Sequence, residues 1–106
     1  MEKNEYKDSL NTGLAEEIRE NIEEPEMYKV VLLNDNYTTM DFVVQIVSVV
    51  FHKSVIEANK IMMDVHKKGR GIVGIYTYDI AATKIMQVHQ MAKEKQFPLK
   101  CIMEEA

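Results

Sequence analysis

From Met27 onward, apolar and polar positions alternate between two clear periods. Met27 to Leu33 is apolar and β-branched, interrupted only by Lys29, which predicts a strand. Asn34-Asp35-Asn36 ends it, since such side chains bond nearby backbone and tolerate turn geometry. The valine-rich stretch Asp41–His52 favours a strand by propensity. Its polar residues Asp41, Gln45, Ser48 and His52, however, fall on one helical face, with Phe42, Val43, Ile46, Val47, Val50 and Phe51 opposite. Period outranks propensity, so the segment is predicted helical, with Thr38 and Asp41 as the capping box at its start.

Ser54 and Glu57 mark a second helix, whose apolar stripe is Ala58, Ile61, Met62 and Val65 and whose left-handed C-terminal cap falls at Gly69. After a Gly69-Arg70-Gly71 turn, Ile72–Tyr76 reads as a strand. Thr77 caps a third helix, with Asp79 near its positive end. That helix turns Ala81, Ile85, Val88 and Ala92 inward and stops before Pro98. Leu99–Met103 forms a last strand with Leu99, Cys101 and Met103 on one face. The expected fold is α+β, in the order β-α-α-β-α-β: three helices packed on a small three-stranded antiparallel sheet.

Composition then narrows the function. The 106 residues make one core domain, 27–106, behind a flexible acidic N-terminal extension, 1–26. Residues 1–26 carry nine acidic against three basic side chains, and the rest eight against ten, giving the formal net charge of −4. Neither part has the basic footprint of a nucleic-acid binder. Within the extension, Leu14, Ile18 and Ile22 lie four apart and suit a short helix formed against a partner. No apolar run is long enough to span a bilayer, and the chain opens without a secretory apolar segment, so no membrane is expected. Cys101 stands alone, which fits a reducing cytoplasm and excludes an internal disulfide.

Catalytic motifs are missing. The glycines fit no phosphate loop, and His52, His66 and His89 lack paired metal-ligand spacing, so neither metal nor cofactor is expected. Asp35 and His66 make an acid–base pair without a nucleophile, which leaves a small hydrolase as the weaker class. The binding reading is that Asn34, Asp35 and His66 form a rim of amide, carboxylate and imidazole beside an apolar hollow near Met62 and Val65. That mixture suits a ligand with a cationic tip and an apolar side chain. The plainer alternative makes Asn-Asp-Asn an ordinary turn, His66 a helix-end cap and Met62 core.

The stretches Tyr28–Val43 (YKVVLLNDNYTTMDFV), Ala58–Gly69 (ANKIMMDVHKKG), Gly71–Thr77 (GIVGIYT) and Phe97–Ala106 (FPLKCIMEEA) strongly resemble successive parts of the ClpS adaptor family. The resemblance implies a ClpS-like fold, shared with the C-terminal domain of the ribosomal stalk protein. It also implies a non-catalytic, monomeric adaptor. Such an adaptor binds N-degron substrates that begin with Phe, Tyr, Trp or Leu and delivers them to the N-terminal domain of a ClpA-type or ClpC-type AAA+ unfoldase. It assigns the substrate α-amino group to Asn34, Asp35 and His66, and the pocket for the first side chain to Thr38, Met40, Val43, Met62, Val65 and Leu99. Met40 matches the family's gate against β-branched residues, and Asp79 and Lys84 its unfoldase-docking surface, where Glu is more usual at the first. Asn36 and Thr39 depart from the family pattern: one carboxylate and one rigid proline are lost. A generic interaction module of the same fold is the nearest rival; it would ignore acetylation of a peptide's N-terminus.

Overall fold

In a computed structural model, which describes residues 24–106, the core follows the predicted order. The elements are β1 (Met27–Leu33), α1 (Met40–Phe51), α2 (Val55–Lys68), β2 (Arg70–Thr77), α3 (Tyr78–Glu94) and β3 (Lys100–Glu105). The predicted helix at Leu14, Ile18 and Ile22, and most of the extension, lie outside the described residues.

β1 is the central strand and pairs antiparallel with both others, in the order β2-β1-β3. Its Val30, Val31 and Leu32 are fully buried. Val30 and Leu32 join the main core, while Val31 pairs with Ile72 and Ile102 on the other face of the sheet. Near Val30 the register with β2 shifts, leaving Val73 without a partner between Ile72 and Gly74.

Helical period prevails over valine propensity in α1, where all six expected inward residues are buried. The start differs from expectation. Thr39, not Thr38, is the N-cap, accepting from the Phe42 N–H at 3.2 Å. The Thr38 hydroxyl is turned toward the loop instead, donating to Asp35 Oδ2 at 2.7 Å. His52 lies outside the helix as a left-handed C-cap, with φ 57°. For α2 the capping box holds: the Glu57 N–H donates to Ser54 Oγ, and Gly69, at φ 85°, closes the helix by donating to the Val65 carbonyl.

No Gly69–Gly71 turn intervenes, because β2 begins at Arg70, directly after the cap. Gly71 belongs to packing, since a Cβ there would stand 2.8 Å from Val65 Cγ2 and 3.0 Å from the Ile61 carbonyl oxygen. At α3, Thr77 takes the N-cap position without a side-chain bond. Ala81, Val88 and Ala92 are buried, and Ile85 packs half-buried beside them. β3 begins one residue later than expected, and buried Leu99 immediately precedes it.

Cys101 is 2% exposed, and burial pushes its thiol up to about 12 from 9.0. The fold therefore holds the neutral thiol, whereas the unfolded chain ionises near pH 9. Stability declines as pH rises from about 9 toward 12, by up to about 1.4 kcal/mol per unit. In the native protein at pH 8, iodoacetamide is expected to leave Cys101 unmodified over hours and to alkylate it once denaturant is added. Prompt native alkylation, read by mass spectrometry, would contradict this burial.

Candidate functional site

Three chain segments meet at one end of the sheet. Leu33, the last residue of β1, pairs with Arg70 at the start of β2 and with Lys100 at the start of β3. The loop leaving β1 therefore emerges beside the end of α2 and the approach to β3. The Asn34 N–H donates to the Gly69 carbonyl oxygen at 2.9 Å, pinning this loop to the C-terminal cap of α2. Only His52, Lys53 and Ser54 separate α1 from α2, so the packed pair forms an antiparallel hairpin. Met40–Val43 at its beginning and Met62–His66 at its end consequently lie at the same end of the molecule as the loop.

Asp35 organises that loop. Its Oδ1 accepts the backbone N–H groups of Tyr37 (2.8 Å) and Thr38 (2.7 Å), and its Oδ2 accepts the Thr38 hydroxyl (2.7 Å). Partial burial alone would raise the pKa of this carboxyl. The Thr38 N–H and hydroxyl and the Tyr37 N–H together outweigh it, holding Asp35 below the usual carboxylate range. The stabilisation is therefore present above the carboxyl's unfolded pKa and lost only as pH falls through the lowered folded value. An ionised carboxylate has about four lone-pair sites, so three loop donors leave room for one more.

The other expected residues divide by depth. Val43, Val65 and Leu99 are at most 5% exposed and belong to the core, Met62 packs against it half-buried, and Met40 is 43% exposed. Asn34 and Asn36 are exposed in the loop, and His66 is exposed in the last turn of α2, near the helix's negative end. A hollow of about 390 Å³ borders Asn34 and Asp35, but on the β3 side, where Tyr37, Pro98 and Lys100 complete it. Met62 and His66 do not line that hollow. Sequence reasoning missed Tyr37, Pro98 and Lys100; only the Leu33–Lys100 register brings the last two to the loop.

Asp79 and Lys84 lie on α3, and α3 starts at the opposite end of the sheet, where Thr77 pairs with Met27. Asp79 is exposed. The Lys84 ammonium donates to the Val50 carbonyl at 2.8 Å and stands over the rings of Phe51 and Tyr76, tying α3 to the end of α1. His89 has a structural role as well. Its Nε2 accepts the Cys101 N–H at 3.0 Å, which places the ring proton on Nδ1. Among the described residues, no group of three or more His, Cys, Asp or Glu side chains is arranged to hold a metal, and no helix is long and apolar enough to cross a membrane.

Residues 23–102 match the family model "ATP-dependent Clp protease adaptor protein ClpS". The chain is 57% identical over 89 residues to the ATP-dependent Clp protease adapter protein ClpS of Syntrophus aciditrophicus, covering 84% of this chain and 83% of that one. It is 55% identical over 96 residues to the protein of the same name from Acetivibrio thermocellus, covering 91% and 97% respectively. Among solved structures, Agrobacterium tumefaciens ClpS2 bound to L-phenylalaninamide superposes with a TM-score of 0.76 at 37% identity, over 78% of this chain and all of that one.

Proposed function

The chain belongs to the ClpS family of ATP-dependent Clp protease adaptors, and we propose that it captures polypeptides by their first residue and delivers them to a Clp unfoldase. An adaptor performs no catalysis of its own; its chemistry is selective binding. The observation that carries the reading is the Asn34–Gly69 bond, which holds an ordered, negatively charged loop against the end of the α1–α2 hairpin. The relative bound to L-phenylalaninamide supports it, because that ligand unites an α-amine with an aromatic side chain.

The mechanism is a conjunction of two moderate terms. Asn34, Asp35 and His66 hold the substrate's α-amino group, which has a pKa of about 7.7–8.0 and is mostly protonated at neutral pH. A charge-assisted hydrogen bond from it to Asp35 contributes roughly 1.5–3 kcal/mol. Burying a Phe- or Leu-sized side chain against Thr38, Met40, Val43, Met62, Val65 and Leu99 contributes roughly another 1.5–3 kcal/mol. Micromolar affinity requires about 8 kcal/mol net, so both terms are needed, together with backbone contacts. Internal leucines lack the amine, and an N-terminal Lys or Asp lacks the apolar group. In fluorescence anisotropy, peptides beginning with Phe, Tyr, Trp or Leu should therefore bind, and those beginning with Asp or Lys should not. Equal binding across the panel would reject the reading.

Met40, half-exposed at the mouth of the hairpin, acts as the gate against β-branched side chains. Met40→Ala should admit Ile- and Val-initiated peptides with at least about a tenfold gain, the scale of one or two methylene groups. Continued rejection of both by the variant would remove Met40 from this role.

Delivery uses the remaining parts. Asp79 and Lys84 dock on the N-terminal domain of a ClpA-type or ClpC-type unfoldase, with the adaptor acting as a cytoplasmic monomer. The acidic extension, residues 1–26, reaches into the unfoldase while the core, residues 27–106, holds cargo. Deleting residues 1–20 should leave peptide affinity within about twofold and slow degradation of a Phe-initiated protein severalfold. Equal degradation rates with and without the segment would discard this step.

A further inference from the structure

The sheet has a second face, turned away from the helices. Residues paired directly across antiparallel strands share a face. The registers of β1 therefore place Lys29, Ile75 and Glu104 in one row of it, Val31, Ile72 and Ile102 in the next, and Leu33, Arg70 and Lys100 in a third. Among the described residues, every buried helical side chain belongs to the core shared by Val30 and Leu32, whereas Val31 is buried outside that core. An antiparallel sheet open to water on one side ordinarily carries polar residues there. Here Ile72, Ile75 and Ile102 stand 48%, 53% and 36% exposed around Val31, an apolar centre that no described helix covers. Its charged rim is mostly positive: Lys29, Arg70 and Lys100 against Glu104, which Arg70 already engages through two bonds of 3.0 and 2.6 Å.

We propose that the chain's own acidic extension covers this face, with the stripe Leu14, Ile18 and Ile22 lying as a helix across Ile72, Val31 and Ile102. Size, tether and charge select this occupant. In a helix the stripe runs about 12 Å from Leu14 to Ile22, and the isoleucines on either side of β1 are two strand spacings, about 10 Å, apart. Only Glu23, Glu24, Pro25 and Glu26 separate Ile22 from Met27, where β1 begins. That linker reaches at most about 17 Å, enough to turn back along the roughly 13 Å from Met27 to Val31, and so short a tether gives the stripe a high effective concentration at the face. Glu16, Glu17, Glu20 and Glu23 surround the stripe with Arg19 as their one basic neighbour, opposite in sign to the rim. The docked extension is a stored state. This consequence rests on the delivery role given to the extension above, because a segment lying on the sheet has to leave it before it reaches an unfoldase.

The test attaches a nitroxide to the full-length chain at Glu20→Cys, off the apolar stripe, with buried Cys101 left unlabelled, and reads the isoleucine methyl signals by NMR. Ile72 and Ile102 should lose most of their intensity, while Ile85, packed against the core on the helix side of the sheet, keeps most of its own. Ile18→Asp, a change outside the folded core, should abolish that difference. Loss spread evenly over the isoleucines, or a difference that survives Ile18→Asp, would overturn the docking. So would selective loss caused by a nitroxide carried on a second copy mixed with the first, which would assign the face to another chain. Degradation of a Phe-initiated protein separates the two levels. Ile18→Asp should deliver at least as fast as the native chain; a slowing as large as that from deleting residues 1–20 would overturn the stored state and assign the stripe to the unfoldase. If the deletion itself leaves degradation unchanged, the delivery reading fails and the stored state with it, while the docking stands or falls on the methyl signals alone.

Discussion

Replacing Asp35 by Ala is expected to remove detectable capture of a Phe-initiated peptide, a loss of at least about a hundredfold in affinity. The size follows from two simultaneous losses. The carboxylate proposed to meet the ammonium is gone, and so are the acceptors for the Tyr37 N–H, the Thr38 N–H and the Thr38 hydroxyl, which keep the loop in shape. Asp35→Asn separates them. Its amide oxygen can still accept both backbone N–H groups and its amide nitrogen can donate to the Thr38 hydroxyl, so the loop survives while the charge does not. Roughly 1.5–3 kcal/mol is then lost, about ten- to a hundredfold. Undiminished binding by the Ala variant in fluorescence anisotropy would show that Asp35 neither meets the amine nor shapes the site.

The loop bonds of Asp35 also explain where sequence reasoning stopped. Periodicity located every element of the core, because burial imposes it: the valines of α1 face inward at helical spacing whatever their strand propensity. Ser54 and Gly69 were readable as helix ends, since each satisfies its own helix through local bonds. Thr38 and Thr39 were not separable in this way. Either hydroxyl suits an N-cap on sequence grounds; in the fold the Thr39 hydroxyl accepts from the Phe42 N–H, while that of Thr38 turns into the loop and donates to Asp35. Contacts distant in sequence leave no periodic trace either. Lys84 reaches the Val50 carbonyl, and His89 the Cys101 N–H, only once α3 has packed against α1 and β3.

At the candidate site, residue types were legible and the relief was not. Asn34, Asp35 and His66 stand out as a polar group beside apolar neighbours, and the resemblance assigns them a role. That the loop is pinned through Gly69, and that its far side opens toward Pro98 and Lys100, depends on the sheet register around Leu33.

The account reduces to a requirement for a charged chain end together with an apolar side chain, and N-acetylation removes the first without touching the second. Acetylating a Phe-initiated peptide deletes the ammonium and replaces it with a neutral, bulkier amide, so the proposed partners Asn34, Asp35 and His66 lose the group assigned to them. The expected loss is at least about a hundredfold, larger than the charge-assisted hydrogen bond alone because the acetyl group also obstructs the rim. A milder form of the same effect is a decline in affinity for the free peptide as pH rises through about 8, where the amine loses its proton. The decisive measurement is the pair of binding curves for the free and the N-acetylated peptide at neutral pH. Saturable binding of the free peptide with none by its acetylated twin is the predicted result; two superimposable curves would contradict the account.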